Sequence, residues 1–198
     1  GKSTQSKLLK EYLESIGETV VHTREPGGTE LGLKIRDILL SNATGHMSPR
    51  AEALMYAADR AHHVYSVVVP ALDAGSVVIT DRYMDSSIAY QGAGRVLAPA
   101  EVARISRWAT ENLQPTLTFI MDVPADVGMS RLGSKDRLEN EPLEFHARVR
   151  QEFLNLANQD PERYAIIDAT GTIEEIALAI QERVGVLPGL KINKVKKK

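Results

Sequence analysis

The sequence contains no cysteine, which excludes disulfide bonds and thiolate metal sites and fits a reducing cytoplasm. It also has little excess charge. A formal net charge of −2 at pH 7 gives no strong field toward nucleic acid or a membrane surface, so any anion site must be local. No apolar run approaches the roughly 18 residues of a membrane-spanning helix. We therefore expect a cytoplasmic protein whose partners include neither nucleic acid nor a membrane.

What remains is the composition of an ordinary globular domain. The chain has 198 residues, of which 43% are hydrophobic and 25% are charged, enough for one domain with a sizeable core. The 5 histidines are spaced like no metal site, so we interpret them as structural or surface residues.

Helical and strand patterns alternate along the chain, which favours a parallel sheet with helices on both faces. Pro70 is expected to break or kink the third helix. The patterns predict helices over 3–16, 31–41, 48–69, 99–112, 142–159 and 172–184, and strands over 18–23, 76–81, 116–122 and 163–168.

The chain opens on GKSTQ, which matches the second half of the phosphate-binding motif G-x-x-x-x-G-K-[ST]. Such a loop joins a strand to the helix that it opens. We therefore expect the first strand and half of the loop to be missing from this sequence. Lys2 would reach phosphate oxygens, and the Ser3 hydroxyl could ligate Mg²⁺. An ordinary polar helix start would give the same letters.

A second candidate segment is VVITDRY, where Asp81 ends a buried strand and Arg82 follows it. Ligands of such folds bind at the carboxyl ends of strands. The aspartate can hold Mg²⁺ through water, and the arginine can clamp a phosphate. A structural Asp–Arg pair is the alternative.

Two other segments are compatible with ligand binding. In HTREPGGTELGLKIR, Arg24 and Glu25 lie at a strand end before a Gly-Gly turn, and this stretch is equally compatible with a plain turn. In AEALMYAADR, Tyr56 and Arg60 are four residues apart and share one helical face. An aromatic ring and a guanidinium could read a base, although an aromatic at this spacing is usually part of the core.

The segment 131–142, RLGSKDRLENEP, is short and polar, and it lies between two helices. Its basic residues Arg131, Lys135 and Arg137 could close over phosphates as a lid, or the segment could be a solvent-exposed connection. The tail 186–198 has five lysines among its last eight residues, and we expect it to be a solvated end beyond a domain at 1–185, with contact to phosphate or nucleic acid as the alternative.

In order and combination, these segments resemble the bacterial thymidylate kinases, a branch of the P-loop nucleoside-monophosphate kinases. The matching stretches are GKSTQ, TREPGGTELG, EALMYAADR, DRYMDSSIAYQGAGR and DRLENEPLEFHARV, so the resemblance covers nearly the whole chain. It implies an α/β, three-layer P-loop kinase fold with a central parallel sheet and a short lid. It also implies a homodimer, and the apolar face of 51–69 is a candidate interface.

The resemblance further implies transfer of the γ-phosphoryl of ATP to dTMP with Mg²⁺, giving dTDP and ADP for dTTP synthesis. Carried over position by position, the catalytic residues are Lys2, Arg82 and Arg137. The ATP-binding residues are Gly1, Lys2, Ser3, Thr4, Arg131 and Arg137, and the metal-binding residues are Ser3 and Asp81. The dTMP-binding residues are Glu25, Arg36, Tyr56, Arg60, Arg82, Ser87, Tyr90 and Gln91.

The chain departs from the family pattern in three places. The first half of the phosphate loop is absent, Tyr56 stands where the family usually has a phenylalanine, and the lid has few basic residues. Two alternatives stay open. One is a kinase for another acceptor, such as UMP, AMP or a deoxynucleoside, and the other is a regulator that binds nucleotide without transferring phosphate.

Overall fold

The computed structural model of the chain describes residues 1–131, 133 and 135–190. The strands are β1 (Val20–Arg24), β2 (Val77–Asp81), β3 (Thr118–Asp122) and β4 (Tyr164–Asp168). The longer helices are α1 (Lys2–Ser15), α2 (Glu30–Leu40), α3 (Pro49–His63), α6 (Pro99–Ala109), α8 (Leu143–Gln159) and α9 (Ile173–Gly185). The shorter ones are α4 (Val69–Asp73), α5 (Met84–Ser87), α7 (Ala125–Ser130), a 3₁₀ turn at Asn42–Thr44 and π-helical turns at Val64–Val68 and Ile88–Gly94.

Local sequence sets where several helices begin. The Thr29 hydroxyl accepts a hydrogen bond from the amide of Gly32 at the start of α2. Ser48 caps α3 and Pro49 occupies its first turn, which confirms the predicted start of this helix. Thr172 and Glu175 form a capping box at the start of α9.

The strands form two parallel pairs. β1 pairs with β2, which places Arg24 beside Asp81, and β3 pairs with β4, which places Asp122 beside Asp168. The predicted parallel arrangement is confirmed. Within the described residues, no strand ladder joins the two pairs, so the expected central sheet is present as two halves.

Two clusters of buried side chains form the larger cores. One cluster packs Leu13 of α1 against Ile176, Ile180 and Val184 of α9 over the strands. A second, built around Leu39, Tyr56, Phe145 and Val149, joins α2, α3 and α8 to the π turn at Ile88–Gly94. This second core supports the region in which the predicted base-binding residues lie.

Two helical segments differ from the sequence-based prediction. The third helix does not end near Val69. It continues through the π turn Val64–Val68 into α4, because this wider turn accommodates Pro70, which has no amide hydrogen to donate. Residues 84–94, unassigned from the sequence, are helical.

The ends of the predicted domain are only partly described. Helix α9 ends at Gly185, where the domain was expected to end, and most of the predicted tail lies outside the described residues. Among the described helices, none is both long enough and apolar enough to cross a bilayer.

Candidate active site

The start of α1 lies beside the carboxyl end of β2. The Ser3 hydroxyl donates a 2.7 Å hydrogen bond to Oδ2 of Asp81, which joins two of the predicted phosphate- and metal-binding residues. Gly1 is the N-cap of α1, and no side chain among the described residues caps this helix. The first backbone amides of the helix therefore have no side-chain acceptor and, with the helix dipole, favour an anion at this end.

Positive charge concentrates at the same place. The Arg82 guanidinium lies 4.9 Å from the centroid of the Tyr90 ring and 3.4 Å from its hydroxyl. The positive charge of Arg82 lowers the pKa of Lys2. Although burial opposes ionisation of Tyr90, the charges of Arg82 and Lys2 outweigh it and lower the pKa of the hydroxyl. Lys2 precedes Ser3 and Arg82 follows Asp81, so the Ser3–Asp81 hydrogen bond also brings the backbones of Lys2 and Arg82 together.

Arg82 reaches this position through an unusual backbone conformation. Its φ is +71°, in the left-handed region that side chains rarely adopt. The Thr80 hydroxyl donates a 2.9 Å hydrogen bond to the carbonyl of Arg82 and so helps to hold the turn. Strained backbone of this kind is concentrated at functional sites.

The loop after β1 contributes a buried carboxylate, Glu25, which is 3% exposed. Its Oε2 accepts a 2.7 Å hydrogen bond from Nε of Arg60, and its Oε1 lies 2.9 Å from Nδ1 of His63. Each oxygen therefore has one partner, and Glu25 fixes Arg60; its contact with the acceptor nucleotide stays a prediction. His63 also contacts the Thr23 hydroxyl at 2.7 Å, in keeping with the structural role expected of the histidines.

Neighbouring side chains lie so close to the backbone of TREPGGTELG that two of its glycines have no room for a Cβ. A Cβ on Gly28 would lie 2.6 Å from Cδ2 of His63, and one on Gly32 would lie 2.4 Å from a carboxylate oxygen of Asp59. Arg36 folds back over this loop and donates a 3.0 Å hydrogen bond to the carbonyl of Pro26. The loop is therefore packed tightly onto α2 and α3, with Arg36 at its surface.

The four residues predicted to contact the base lie on α3 and on the helical segment after Arg82. Arg60 donates to the Ser87 hydroxyl at 3.1 Å, which links the two elements directly. Gln91 is 1% exposed and lies one turn beyond Ser87. Tyr56 is buried in the second core, and burial raises the pKa of its hydroxyl. The structure thus brings these residues together, with Tyr56 also serving the core.

The arginines of the predicted lid are engaged with the protein. Arg137 donates to the carbonyl of Leu39 at 2.8 Å and to Oε2 of Glu52 at 2.6 Å. Arg131 donates to the carbonyl of Ala169 at 2.9 Å, beyond the end of β4. Contact of Arg137 with transferring phosphates stays a prediction.

Glu52, Asp59 and Arg95 belong to the site's framework but were not singled out from the sequence. Glu52 is fully buried and accepts hydrogen bonds from Gln91, Arg95 and Arg137. Asp59 is 1% exposed and accepts from the amide of Gly27. A helical-face signal was available, because Glu52, Tyr56, Asp59, Arg60 and His63 share one side of α3.

Comparison with known proteins agrees with this geometry. The thymidylate kinase family profile matches residues 1–180. The chain belongs to the thymidylate kinase family. A thymidylate kinase from Clavibacter michiganensis subsp. michiganensis is 56% identical over 94% of this chain and 90% of its own length. One from Cutibacterium acnes is 50% identical over 93% of this chain and 90% of its own length.

A solved thymidylate kinase structure extends the likeness to three dimensions. The Ehrlichia chaffeensis thymidylate kinase superposes with a TM-score of 0.79 at 32% identity, covering 94% of this chain and 92% of that one. The thymidylate kinase fold expected from the sequence, an α/β P-loop kinase fold, is thereby confirmed.

Proposed function

We propose that this protein transfers the γ-phosphoryl group of ATP to dTMP, producing dTDP and ADP. One observation carries the proposal: Lys2, Arg82 and Tyr90 converge beside the uncapped start of α1 and the Ser3–Asp81 contact. The thymidylate kinases that share about half or more of its residues support dTMP as the acceptor.

The chemistry asks mainly for positive charge and positioning. Both substrates are polyanions, so bringing them together is repulsive, and the transferred group carries spread negative charge. Lys2 and Arg82 supply cationic groups at the junction, and the free amides of α1 add an oriented dipole. The phosphate of dTMP is itself the nucleophile, so the site needs no strong general base.

Mg²⁺ fits the donor set at the end of β2. Ser3 and Asp81 present hydroxyl and carboxylate oxygens 2.7 Å apart, the hard ligands that Mg²⁺ prefers. Within the described residues, no cluster of three or more acidic or histidine side chains forms a separate metal cage, so the nucleotide would supply further oxygens. We assign Ser3 as a direct ligand and Asp81 as one acting through water. Bound there, Mg²⁺ would neutralise phosphate charge.

The acceptor pocket is proposed between α3 and the segment that follows Arg82. Arg36 would hold the dTMP phosphate, and Tyr90 would lie near the sugar and disfavour a 2′-hydroxyl. The Arg60 guanidinium has one Nη1 hydrogen without a partner in the described part of the chain, and it could donate to a base carbonyl. Tyr56 would pack against the base.

We also propose a homodimer built on the outer face of the helical stretch 51–69, which runs from α3 through the π turn Val64–Val68 to the start of α4. Leu54, Tyr65 and Val69 are 56%, 77% and 39% exposed and follow helical spacing. Covering such a stripe removes apolar surface from water. A cytoplasmic location is part of the same proposal.

The decisive experiment measures ADP release from Mg-ATP with dTMP, dUMP, UMP, AMP or CMP as acceptor. It would be run on this 198-residue chain and on a version extended by a strand and by residues that complete the G-x-x-x-x-G-K-S loop. We expect the extended protein to use dTMP best. A preference for another acceptor would overturn the base-site assignment, and dTMP binding without ADP release would overturn the kinase activity.

A further inference from the structure

We infer that Glu52 is a specificity-determining positioning residue: it orients the amide of Gln91 so that only the carbonyl oxygen is offered to a nucleotide base. This inference rests on the base site proposed above and extends it to the choice between thymine and cytosine. Neither the family resemblance nor the predicted site residues give Glu52 a role.

The carboxylate of Glu52 has no exposure to solvent and is saturated with donors. Arg95 binds it with a fork, Nε to Oε1 at 3.1 Å and Nη2 to Oε2 at 3.0 Å, and Arg137 adds a 2.6 Å bond. Nε2 of Gln91 donates to Oε1 at 3.0 Å. Although burial opposes ionisation, these hydrogen bonds from Arg95, Gln91 and Arg137 prevail and lower the pKa of Glu52.

An ionised carboxylate accepts hydrogen bonds and donates none. The amide of Gln91 must therefore turn its NH₂ group toward Glu52, because the reverse orientation would set its carbonyl oxygen against a buried carboxylate. Losing a charge-assisted bond and burying two facing acceptors both disfavour that reversal. Glu52 thus converts an amide with two possible faces into a fixed acceptor.

The fixed carbonyl oxygen of Gln91 is available to accept a hydrogen bond from a base. Oε1 of Gln91 receives no hydrogen bond from the part of the chain that the structure describes, although the side chain is 1% exposed. Thymine and uracil present an N3–H donor, whereas cytosine presents an N3 acceptor. A fixed acceptor can form a hydrogen bond with thymine or uracil. With cytosine it would face another acceptor, a mismatch that polar sites reject strongly.

Gln91 does not act alone, since Arg60 offers its remaining Nη1 hydrogen on the neighbouring helix. A donor for the 4-carbonyl beside an acceptor for N3–H matches thymine and opposes cytosine at both positions. Replacing Glu52 should therefore weaken the discrimination without reversing it, because Arg60 is held independently by Glu25.

The test compares dTMP with dCMP in the Glu52→Gln variant, which keeps shape but allows the neighbouring amide to flip. The dTMP-to-dCMP ratio of kcat/KM, and the ratio of dissociation constants from calorimetry, should each fall by about tenfold or more. The matched control is Glu141→Gln. It removes the other carboxylate bound to Arg95 and leaves Gln91 on Glu52, so both ratios should be retained.

A double-mutant cycle separates orientation from general damage. If Glu52 acts through Gln91, then Glu52→Gln should cause no further loss of discrimination in a Gln91→Leu background. An additive loss would overturn the inference, as would an unchanged ratio in Glu52→Gln alone. A wild-type protein with no preference for dTMP over dCMP would instead contradict the proposed base site itself.

If Glu52→Gln does not fold, the wild-type protein decides by NMR. The side-chain NH₂ resonances of Gln91, assigned by their absence in Gln91→Leu, should exchange slowly with water before and after dTMP is added. Fast exchange in the free protein would show that Glu52 does not hold the amide and would overturn the inference.

Discussion

Arg82 of the candidate site has a left-handed backbone conformation, which residues with a side chain rarely adopt. A left-handed φ of +71° costs of order 1 kcal/mol in an arginine, and a glycine would remove that cost. The turn instead carries a side chain whose guanidinium lies against Tyr90 and whose charge reaches Lys2. The strain is therefore coupled to the placement of a cation at the phosphate junction.

This coupling gives a prediction in which stability and activity move apart. Arg82→Ala should lower the rate of ADP formation by about 100-fold or more, as for loss of one transition-state donor. Arg82→Gly should be as slow as Arg82→Ala, yet it should unfold at the same urea concentration as Arg82→Ala or at a higher one, because glycine adopts this φ freely. Near-normal turnover in either variant would remove Arg82 from the site.

Asp59 is a second residue with a cost built into its position. Burial raises its pKa to about 6, and the charge of Glu25 adds to this, whereas the Gly27 amide, His63 and Arg60 oppose it. An unfolded aspartate titrates near about 3.9, so the folded state binds the proton more tightly. Its stabilising contribution is complete below about pH 4 and is lost as pH rises through about 6.

We expect the unfolding free energy of wild-type protein, minus that of Asp59→Asn, to fall by about 1–3 kcal/mol between pH 4 and pH 6.5. Asparagine keeps an oxygen for the Gly27 amide but does not titrate, so the difference isolates this one group. Urea unfolding at several pH values measures it. A difference that stays level or rises over this range would contradict the raised pKa.

Single residues also mark where the sequence was informative. Lys2, Asp81 and Arg82 were identified because their motifs sit at element boundaries, where strand ends and helix starts meet. Glu52 and Asp59 were missed, because a charged residue inside a helix suggests a solvent-facing position. Only their partners, which are distant in sequence, make burial of those charges acceptable.

At the scale of elements, the π turn Ile88–Gly94 is a closely packed segment of the site, with five of its seven residues buried. Arg148 of α8 donates to the carbonyls of Ala93 and Gly94 at 3.4 and 2.9 Å. The π turn is held by this packing against α8, which residues distant in sequence provide. Short-range periodicity therefore did not assign residues 84–94. The more regular helices, with caps such as Ser48, were predictable.

Gly94 tests how strictly this packing is required. A Cβ there would lie 2.7 Å from Cε2 of Phe145 and 3.0 Å from Val149, both buried in the second core. Gly94→Ala should therefore lower the unfolding free energy by about 1–3 kcal/mol. The matched control is Gly185→Ala at the end of α9, where no atom of the described residues lies within 4 Å of the added Cβ, and it should be neutral or slightly stabilising. Equal effects of the two variants in urea unfolding would contradict the packing argument.

At the scale of the whole molecule, alternating strand and helix patterns were sufficient to predict that the strands pair in parallel, as β1 with β2 and β3 with β4 do. They could not predict that the described strands form two separate pairs, because pairing between distant strands is not encoded in local periodicity. The net charge of −2 likewise could not locate the cationic site formed by Lys2 and Arg82, because acidic residues elsewhere offset their charges.

Assembly is the remaining property of the whole molecule, and it can be tested on the exposed face of α3 and the π turn that follows it. A two-fold dimer uses the same patch twice, so one substitution introduces two changes into a single interface. Leu54→Glu or Tyr65→Glu would place two carboxylates where apolar side chains meet, and we expect either variant to sediment as a monomer. Leu178→Glu is the matched control, because Leu178 is 59% exposed on α9, away from this face, and its dimer should persist.

Sedimentation velocity at several concentrations measures the outcome. A monomeric wild-type protein would contradict the dimer, and dissociation by Leu178→Glu alone would move the interface to α9.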